Sequence, residues 1–350
     1  MHNLFLLLGT IIGAGIFSLP IALSKTSFWL FLGFTMILAM VMAKINWFYR
    51  QIVNGAKERH QLGGYVRQIL GKKWSFVAIL FLLFSTVGAL LAYLILAGQF
   101  LAAITPLSEV QGTWFFYVLM FLLLYFGGRH LEALDVFMTV IKVVLLFVVI
   151  LITFDLDLFS QSLAFTSAQL SLKTALIAYG SVLFALTGYS IVPELKKDGT
   201  EKKAINLAQV ISAGFYLLFS LNLLSFVNNS QFQFEPGLTM ILFNLTGFFS
   251  VLTPYLMLSW VSYDLFDKDL GFAKKEALLL TLILPLLFYL MGLHDFLTVI
   301  SVSGGVFLGG IAILIAQMYK TKFPGKQTWL INLIQIFFGL GALAEVASLF

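Results

Sequence analysis

The 350 residues contain no cysteine, seven prolines and only 11% charged side chains. Without cysteine there is no disulfide framework, thiolate metal site or cysteine nucleophile, and the redox compartment leaves no mark. Histidine is almost as scarce: His2, His60, His130 and His294 fall singly near helix ends or in loops, without the paired spacing of a metal site. No metal is therefore expected, and no cofactor. An intramembrane hydrolase would need Ser-His, paired-Asp or metal-ligand groups at depth, and a channel would more often show a repeated filter or a charged ring. Neither pattern is present, so the chain does not read as an enzyme or a pore. Met1 to Leu8 lack the basic stretch and small-residue cleavage site of a secretory signal and read as the start of a first span.

What fills the sequence is apolar surface. The hydrophobic fraction is 60% and the mean hydropathy +0.99, which makes lipid the solvent for most of the chain. A bilayer core of about 30 Å needs roughly 20 apolar residues in a helix. Eleven such runs are found, at about 3–24, 27–52, 74–103, 112–127, 131–154, 171–197, 203–227, 238–266, 275–292, 294–319 and 328–350. The longest connections, Val53 to Lys73 and Asp155 to Leu170, are too short for a soluble domain. The expectation is an all-α polytopic membrane protein of one domain.

Basic loops are retained on the cytoplasmic side. With the amino terminus inside, 17 basic residues fall inside, among them Arg50, Lys57, Arg59, Arg67, Arg129, Lys196, Lys203, Lys268, Lys275 and Lys320; only Lys25 and Lys173 fall outside. The net charge of +5 thus follows topology and does not indicate a nucleic-acid partner. Membrane lipid and a small solute are the expected partners, with no obligate protein partner evident.

The first run reads G-T-I-I-G-A-G-I-F-S-L-P from Gly9 to Pro20, which puts Gly13 and Gly15 near mid-span. Glycine weakens a helix there, and a broken helix in lipid is tolerated only where it is buried in protein or lines a wet cavity. Close helix packing is the other reading of the same glycines. The sixth run supplies a counterpart, F-A-L-T-G-Y-S from Phe184 to Ser190, followed by Pro193 and Glu194. Runs one and six stand five helices apart, the arrangement of two inverted five-helix units, 3–154 and 171–319, with 328–350 as an added helix and a site at the repeat interface. Half-helix N–H groups attract an anion and unwound carbonyls a cation. An amino acid is a natural guest: its carboxylate on Gly13, Ala14 and Gly15, its ammonium on the carbonyls of Phe184, Ala185 and Thr187.

These two motifs resemble the helix 1 and helix 6 motifs of the amino acid, polyamine and organocation transporter superfamily. V-G-A-L-L-A-Y-L-I-L-A-G-Q-F from Val87 to Phe100, D-L-F-D-K-D-L-G from Asp264 to Gly271, and the loop G-G-Y-V-R-Q-I-L-G-K from Gly63 to Lys72 are similar to its aromatic and neutral amino acid permease branch. The resemblance implies a LeuT-type fold with a 5+5 inverted repeat, discontinuous helices 1 and 6, and alternating access in the cell membrane. It implies a substrate site formed by Ile12, Gly13, Ala14, Gly15 and Ile16 with Phe184, Ala185, Leu186, Thr187 and Gly188. Phe184 matches the gate over the substrate, and ordinary packing is its other reading. Ser190 stands where several relatives carry an acid, which gives no proton carrier there.

Lys142 lies seven residues beyond Asp135, about 10 Å into the fifth run at 1.5 Å per residue. A lysine at depth usually faces a cavity and marks an ion pathway; snorkelling is the alternative. Lys44, three residues from Trp47, reads as a snorkelling lysine in an aromatic belt. In proton-coupled relatives a helix 5 lysine fills the volume where sodium-coupled members hold an ion. Here Ile16 and Pro254 stand where those members place oxygen ligands, although Thr253 is retained. Protonated Lys142 is thus expected to contact helix 1 carbonyls such as those of Gly9 and Ile12, with the proton as coupling ion and sodium less favoured. Phe184, Thr187 and Tyr93 suggest a bulky neutral amino acid, aromatic or branched. Symport is the leading expectation, with an exchanger of the same fold or a non-transporting sensor as alternatives.

Overall fold

The computed structural model describes residues 2–56, 60–127, 132–165, 167, 170–228 and 231–348, and their side chains except those of 127, 132–140, 142 and 143. Lys57, Arg59, Arg129 and His130 lie outside the described residues, and Asp135 is described in its backbone alone.

The first run folds as α1 (His2–Ile11), a 3-10 turn (Ala14–Phe17) and α2 (Ser18–Ser24), with a bend of 46° between its halves. There follow α3 (Phe28–Asn54), a short α4 (Leu62–Leu70), α5 (Lys72–Ile104), α6 (Glu109–Gly127) and α7 (Glu132–Thr153). A bend of 92° leads from α7 into α8 (Leu156–Leu163). The second half comprises α9 (Leu172–Leu186), a 3-10 turn (Tyr189–Glu194), α10 (Glu201–Leu223) and α11 (Leu238–Asp264) with a π turn (Leu265–Asp269). It continues through α12 (Lys274–Leu290), α13 (Phe296–Val302), a π turn (Ser303–Leu308), α14 (Gly309–Lys322) and α15 (Thr328–Ala347).

Eight described helices are long and apolar enough to cross a membrane, and the two bent pairs raise this to ten. The one expected run left over, 275–292, is α12, whose 17 residues make about 25 Å of helix, just short of the hydrocarbon thickness. Both connections expected to be plain loops contain helices. Residues 53–73 hold α4, fixed by Ser75 Oγ donating to Gly63 O at 2.9 Å. Residues 155–170 hold α8, capped by Asp155 Oδ1 accepting the N–H groups of Asp157 (2.9 Å) and Leu158 (3.0 Å). A small hairpin, β1 (Val227–Asn228) and β2 (Gln231–Phe232), was not foreseen either.

Packing order follows burial. The spans 72–104 and 296–322 are 67% and 72% buried and form the centre, whereas α15 is 22% buried and lies at the edge, as an appended helix should. Cross-links define two faces. On the basic face, Lys322 Nζ donates to Ile52 O at 2.9 Å and Arg50 meets Glu201. On the far face, Ser167 N–H donates to Thr26 O at 2.7 Å and Gln231 Nε2 to Glu109 Oε1 at 3.3 Å.

The glycines of the tenth run serve packing. A Cβ on Gly304 would collide with Gly180 O, and one on Gly310 with the ring of Phe81. The same segment is also widened into the π turn, a local feature common at functional sites.

Candidate functional site

Both glycine-marked interruptions are real breaks. In the first span the α-helix stops at Ile11; Gly13 is extended (φ −114°, ψ −165°), and a 3-10 turn restarts at Ala14. Gly13 N–H is held by Ile11 O at 2.8 Å and Ile16 N–H by Gly13 O at 3.2 Å. In the sixth span α9 stops at Leu186, Thr187 is extended, and Gly188 precedes the 3-10 turn. Thr187 Oγ1 folds back to donate to Leu183 O at 2.7 Å.

The two breaks touch. A Cβ on Gly15 would stand 3.0 Å from Phe184 Cδ1 and 3.2 Å from Ala185 Cα, so only glycine lets α9 come this close. A Cβ on Gly188 would stand 3.0 Å from Ile11 Cγ1 and 3.6 Å from Asn46 Nδ2. Of the expected set, Gly15 thus meets Phe184 and Ala185; Ala14, Gly15 and Ile16 are buried, Ile12, Gly13, Phe184 and Thr187 half-buried, and Ala185, Leu186 and Gly188 buried. Phe184 packs on Gly15 in the last turn of α9, a position compatible with both gate and packing. Ser190 is exposed.

The residues that tie the breaks together were not foreseen. Tyr216, fully buried in α10, places its Oη 2.6 Å from Ile11 O and 3.0 Å from Ala185 O. One hydroxyl proton is thus shared between the carbonyl ends of the two half-helices. Gln209, two turns earlier on the same helix, donates through Nε2 to Leu186 O at 3.1 Å. Asn46 of α3 is 0% exposed, and neither its Oδ1 nor its Nδ2 has a partner among the described residues. A buried amide with both ends unsatisfied costs several kcal/mol on transfer scales, of order 2–7, and in a native protein calls for an explanation. Asn46 lies beside Gly188, at the break.

Beyond the breaks each face is closed by contacts. On the basic face Asn3 Nδ2 donates to Lys196 O (3.0 Å) and Asp198 Oδ1 (3.2 Å), while its Oδ1 accepts Lys196 N–H (2.8 Å). On the far face Phe17 makes edge contacts with Phe100, Phe219, Phe232 and Phe243, at centroid distances of 5.2 to 6.5 Å.

Of the residues expected in coupling, Gly9 is half-buried in α1 and Thr253 is buried in α11, one residue before Pro254. Lys142 lies within α7, and its side chain is outside those described. Tyr93 is buried in α5.

The sequence model of the family described as transmembrane amino acid transporter protein matches residues 1–226, a stretch that contains both breaks and all of α10. No match is found among the curated proteins. Among solved structures the chain is similar to the Eremococcus coleocola manganese transporter in complex with an aromatic bis-isothiourea substituted compound, with TM-score 0.71, 12% identity, and coverage of 99% of this chain and 85% of that one. It is also similar to MhsT in complex with L-phenylalanine, with TM-score 0.67, 16% identity, and coverage of 99% and 98%. At these identities the likeness is one of fold: the chain has the LeuT-type architecture of a multi-pass membrane protein, with its first and sixth spans discontinuous.

Proposed function

Because the chain belongs to the transmembrane amino acid transporter family, and is accordingly a transporter and not an enzyme, we propose that it carries a neutral, bulky amino acid in symport with protons. The placement in the plasma membrane with a cytoplasmic amino terminus is part of the same proposal; it is supported by the distribution of Lys and Arg among the connections in the sequence. So is the assignment to the aromatic and neutral permease branch, which rests on the sequence segments named above.

One observation carries the reading: the broken ends of two spans abut, and a single hydroxyl, that of Tyr216, bridges their carbonyls. N–H groups that open a helical segment have no acceptor within it. Those of Gly13 and Ile16 are engaged locally, which leaves Ala14 and Gly15 as the carboxylate donors. The carbonyls of Phe184, Ala185 and Thr187 each have two lone pairs, so Ala185 O can hold Tyr216 and still accept a substrate ammonium. Phe184 then covers the amino acid side chain. MhsT binds L-phenylalanine with a related fold, which favours a bulky neutral guest here. Alternating access follows if α1 and the turn after α9 swing about their glycine breaks while the other helices stay in place.

For coupling, protonated Lys142 is the tethered cation that steadies α1 through carbonyls near Gly9, and its deprotonation loosens that contact. The test is a thermal-shift screen of purified protein against the common amino acids, followed by uptake into proteoliposomes. A bulky neutral amino acid should stabilise the protein, and a pH gradient should drive its accumulation in the wild type but not in Lys142→Gln. Exchange of sodium for choline should change nothing. Stabilisation by no amino acid would refute the substrate; unchanged gradient-driven uptake in Lys142→Gln would remove that lysine from the cycle. Accumulation that requires substrate on both sides would turn the symporter into an exchanger.

A further inference from the structure

Ionisable groups within membrane spans are rare, and those that occur mark ion or proton pathways. By its place in the sequence Glu345 reads as a helix-end residue, since α15 ends two residues later, at Ala347. The structure buries it to 2% exposure. Its partner Ser301 lies about 7 Å into α13, counted at 1.5 Å per residue from Phe296. The end of α15 is therefore tucked between α9 and α13 below the surface.

Burial and an unpartnered oxygen favour the protonated form of this carboxyl. Ser301 Oγ is in hydrogen-bond contact with Glu345 Oε1 and also lies 3.5 Å from Leu176 O. An ionised Glu345 would take the serine proton and leave Ser301 Oγ only a long contact with Leu176 O, at the outer limit of a hydrogen bond. A carboxylic acid resolves this by donating to Ser301 Oγ, which donates in turn to Leu176 O. Glu345 Oε2 has no partner, and neither does Tyr179 Oη, which packs one turn away against Gly341. The surrounding glycines make the room. A Cβ on Gly305 would stand 3.4 Å from Glu345 Cγ, and one on Gly180 would stand 2.6 Å from Ser301 Oγ.

No compensating cation faces the group from the described elements that pack on it. From α9 the titratable side chain is Tyr179; α13 and the π turn Ser303–Leu308 carry none; Tyr319, Lys320 and Lys322 of α14 are at the other end of the span. Lys173, the other titratable residue of α9, is exposed in its first turn, and His294 and Asp295 are exposed just before α13.

We propose that Glu345 is a proton-binding site through which the aqueous phase on the far face controls the docking of α15 on α9 and α13. A proton from water converts the carboxylate to the acid, which fits the dry pocket with Ser301; its return to water leaves a charge that this pocket cannot hold. Ionisation therefore releases α15 from α9, the helix whose last turn carries Phe184 and the second break. The inference depends on the transport reading only through its uptake arm.

The test is infrared difference spectroscopy of the purified protein in lipid nanodiscs across a pH series. The wild type should show the carbonyl band of a carboxylic acid at neutral pH, and Glu345→Gln should lose it. Ser301→Ala should move the midpoint of that band by about one pH unit. Identical spectra for wild type and Glu345→Gln would overturn the proposal; if that variant does not fold, an unmoved midpoint in Ser301→Ala would do so. In proteoliposomes Glu345→Gln should lose at least half of the dependence of uptake on far-side pH while keeping the rate at acidic pH, and an unaltered pH profile would count against it. A wild type that transports nothing would sink the transport proposal and leave the spectroscopic result standing.

Discussion

Arg50 Nη2 lies 3.3 Å from Glu201 Oε1 with both side chains buried, and Arg50 Nη1 donates to Val192 O at 3.4 Å. One guanidinium thereby joins α3, the start of α10 and the 3-10 turn that follows the second break. A buried ion pair adds little net stability when whole, but removing one partner strands the other at a cost of about 3–5 kcal/mol. Arg50→Met should lower the unfolding temperature of the detergent-solubilised protein sharply, whereas the double variant Arg50→Met with Glu201→Leu should recover most of the loss. A double variant as unstable as the single one would mean that the pair contributes more than mutual neutralisation.

Tyr216→Phe removes one oxygen: Ile11 O keeps the Gly13 N–H, and Ala185 O loses the tyrosine donor. An unmet buried acceptor costs about 1–3 kcal/mol, so substrate affinity should fall roughly 5- to 150-fold with the protein still folded. Isothermal titration with the amino acid found in the thermal-shift screen reads this directly. Affinity within twofold of wild type would show that the hydroxyl only fills space.

A methyl group on Gly15 would stand 3.0 Å from Phe184 Cδ1 and 3.2 Å from Ala185 Cα, so its neighbours would have to give way by a few tenths of an ångström. Gly15→Ala should push the breaks apart and cost about 1–3 kcal/mol, seen as weaker binding, and Gly15→Val should abolish it. Gly214, where a Cβ meets nothing within 4 Å, is the control: Gly214→Ala should leave binding unchanged.

Asp198 sits in the connection before α10, where the Thr200 hydroxyl at 2.7 Å and N–H at 2.9 Å hold its carboxyl below the usual carboxylate range. A carboxyl whose folded value is depressed stabilises the fold above its unfolded value, near 3.9, and that contribution is lost as pH falls through the lower folded value. Asn3 makes one of its three bonds to this carboxyl and the other two to the Lys196 backbone. Acidification below about pH 4 should therefore loosen, without releasing, the start of α1. Spin labels at His2 and Lys203 should show a broadened distance distribution there, and Asp198→Asn should show none of the pH response.

The spans were legible because a lipid-facing helix must be continuously apolar, and the breaks because Gly13, Gly15 and Gly188 interrupt such runs beside polar residues. α4 and α8 were missed because, at nine and eight residues, they are too short to stand out from connecting loops by periodicity. Tyr216, Asn46 and the Arg50–Glu201 pair were missed for another reason. Arg50 and Tyr216 reach partners 142 to 205 residues away in sequence, and a single tyrosine or asparagine in an apolar run has no local pattern to mark it. Glu345 was misjudged because its place in the helix suggested exposure, which the docking of α15 removes.

The Phe17 cluster bears on leakage. Its four edge contacts draw on α5, α10, α11 and the hairpin, and at about 0.5–1.5 kcal/mol each they sum to roughly 2–6 kcal/mol. Since all four share one ring, a slight parting of any one wall leaves the other three intact and admits no continuous thread of water. A path past Phe17 would require giving up several of these contacts together, a cost of a few kcal/mol that a passing solute would have to offset.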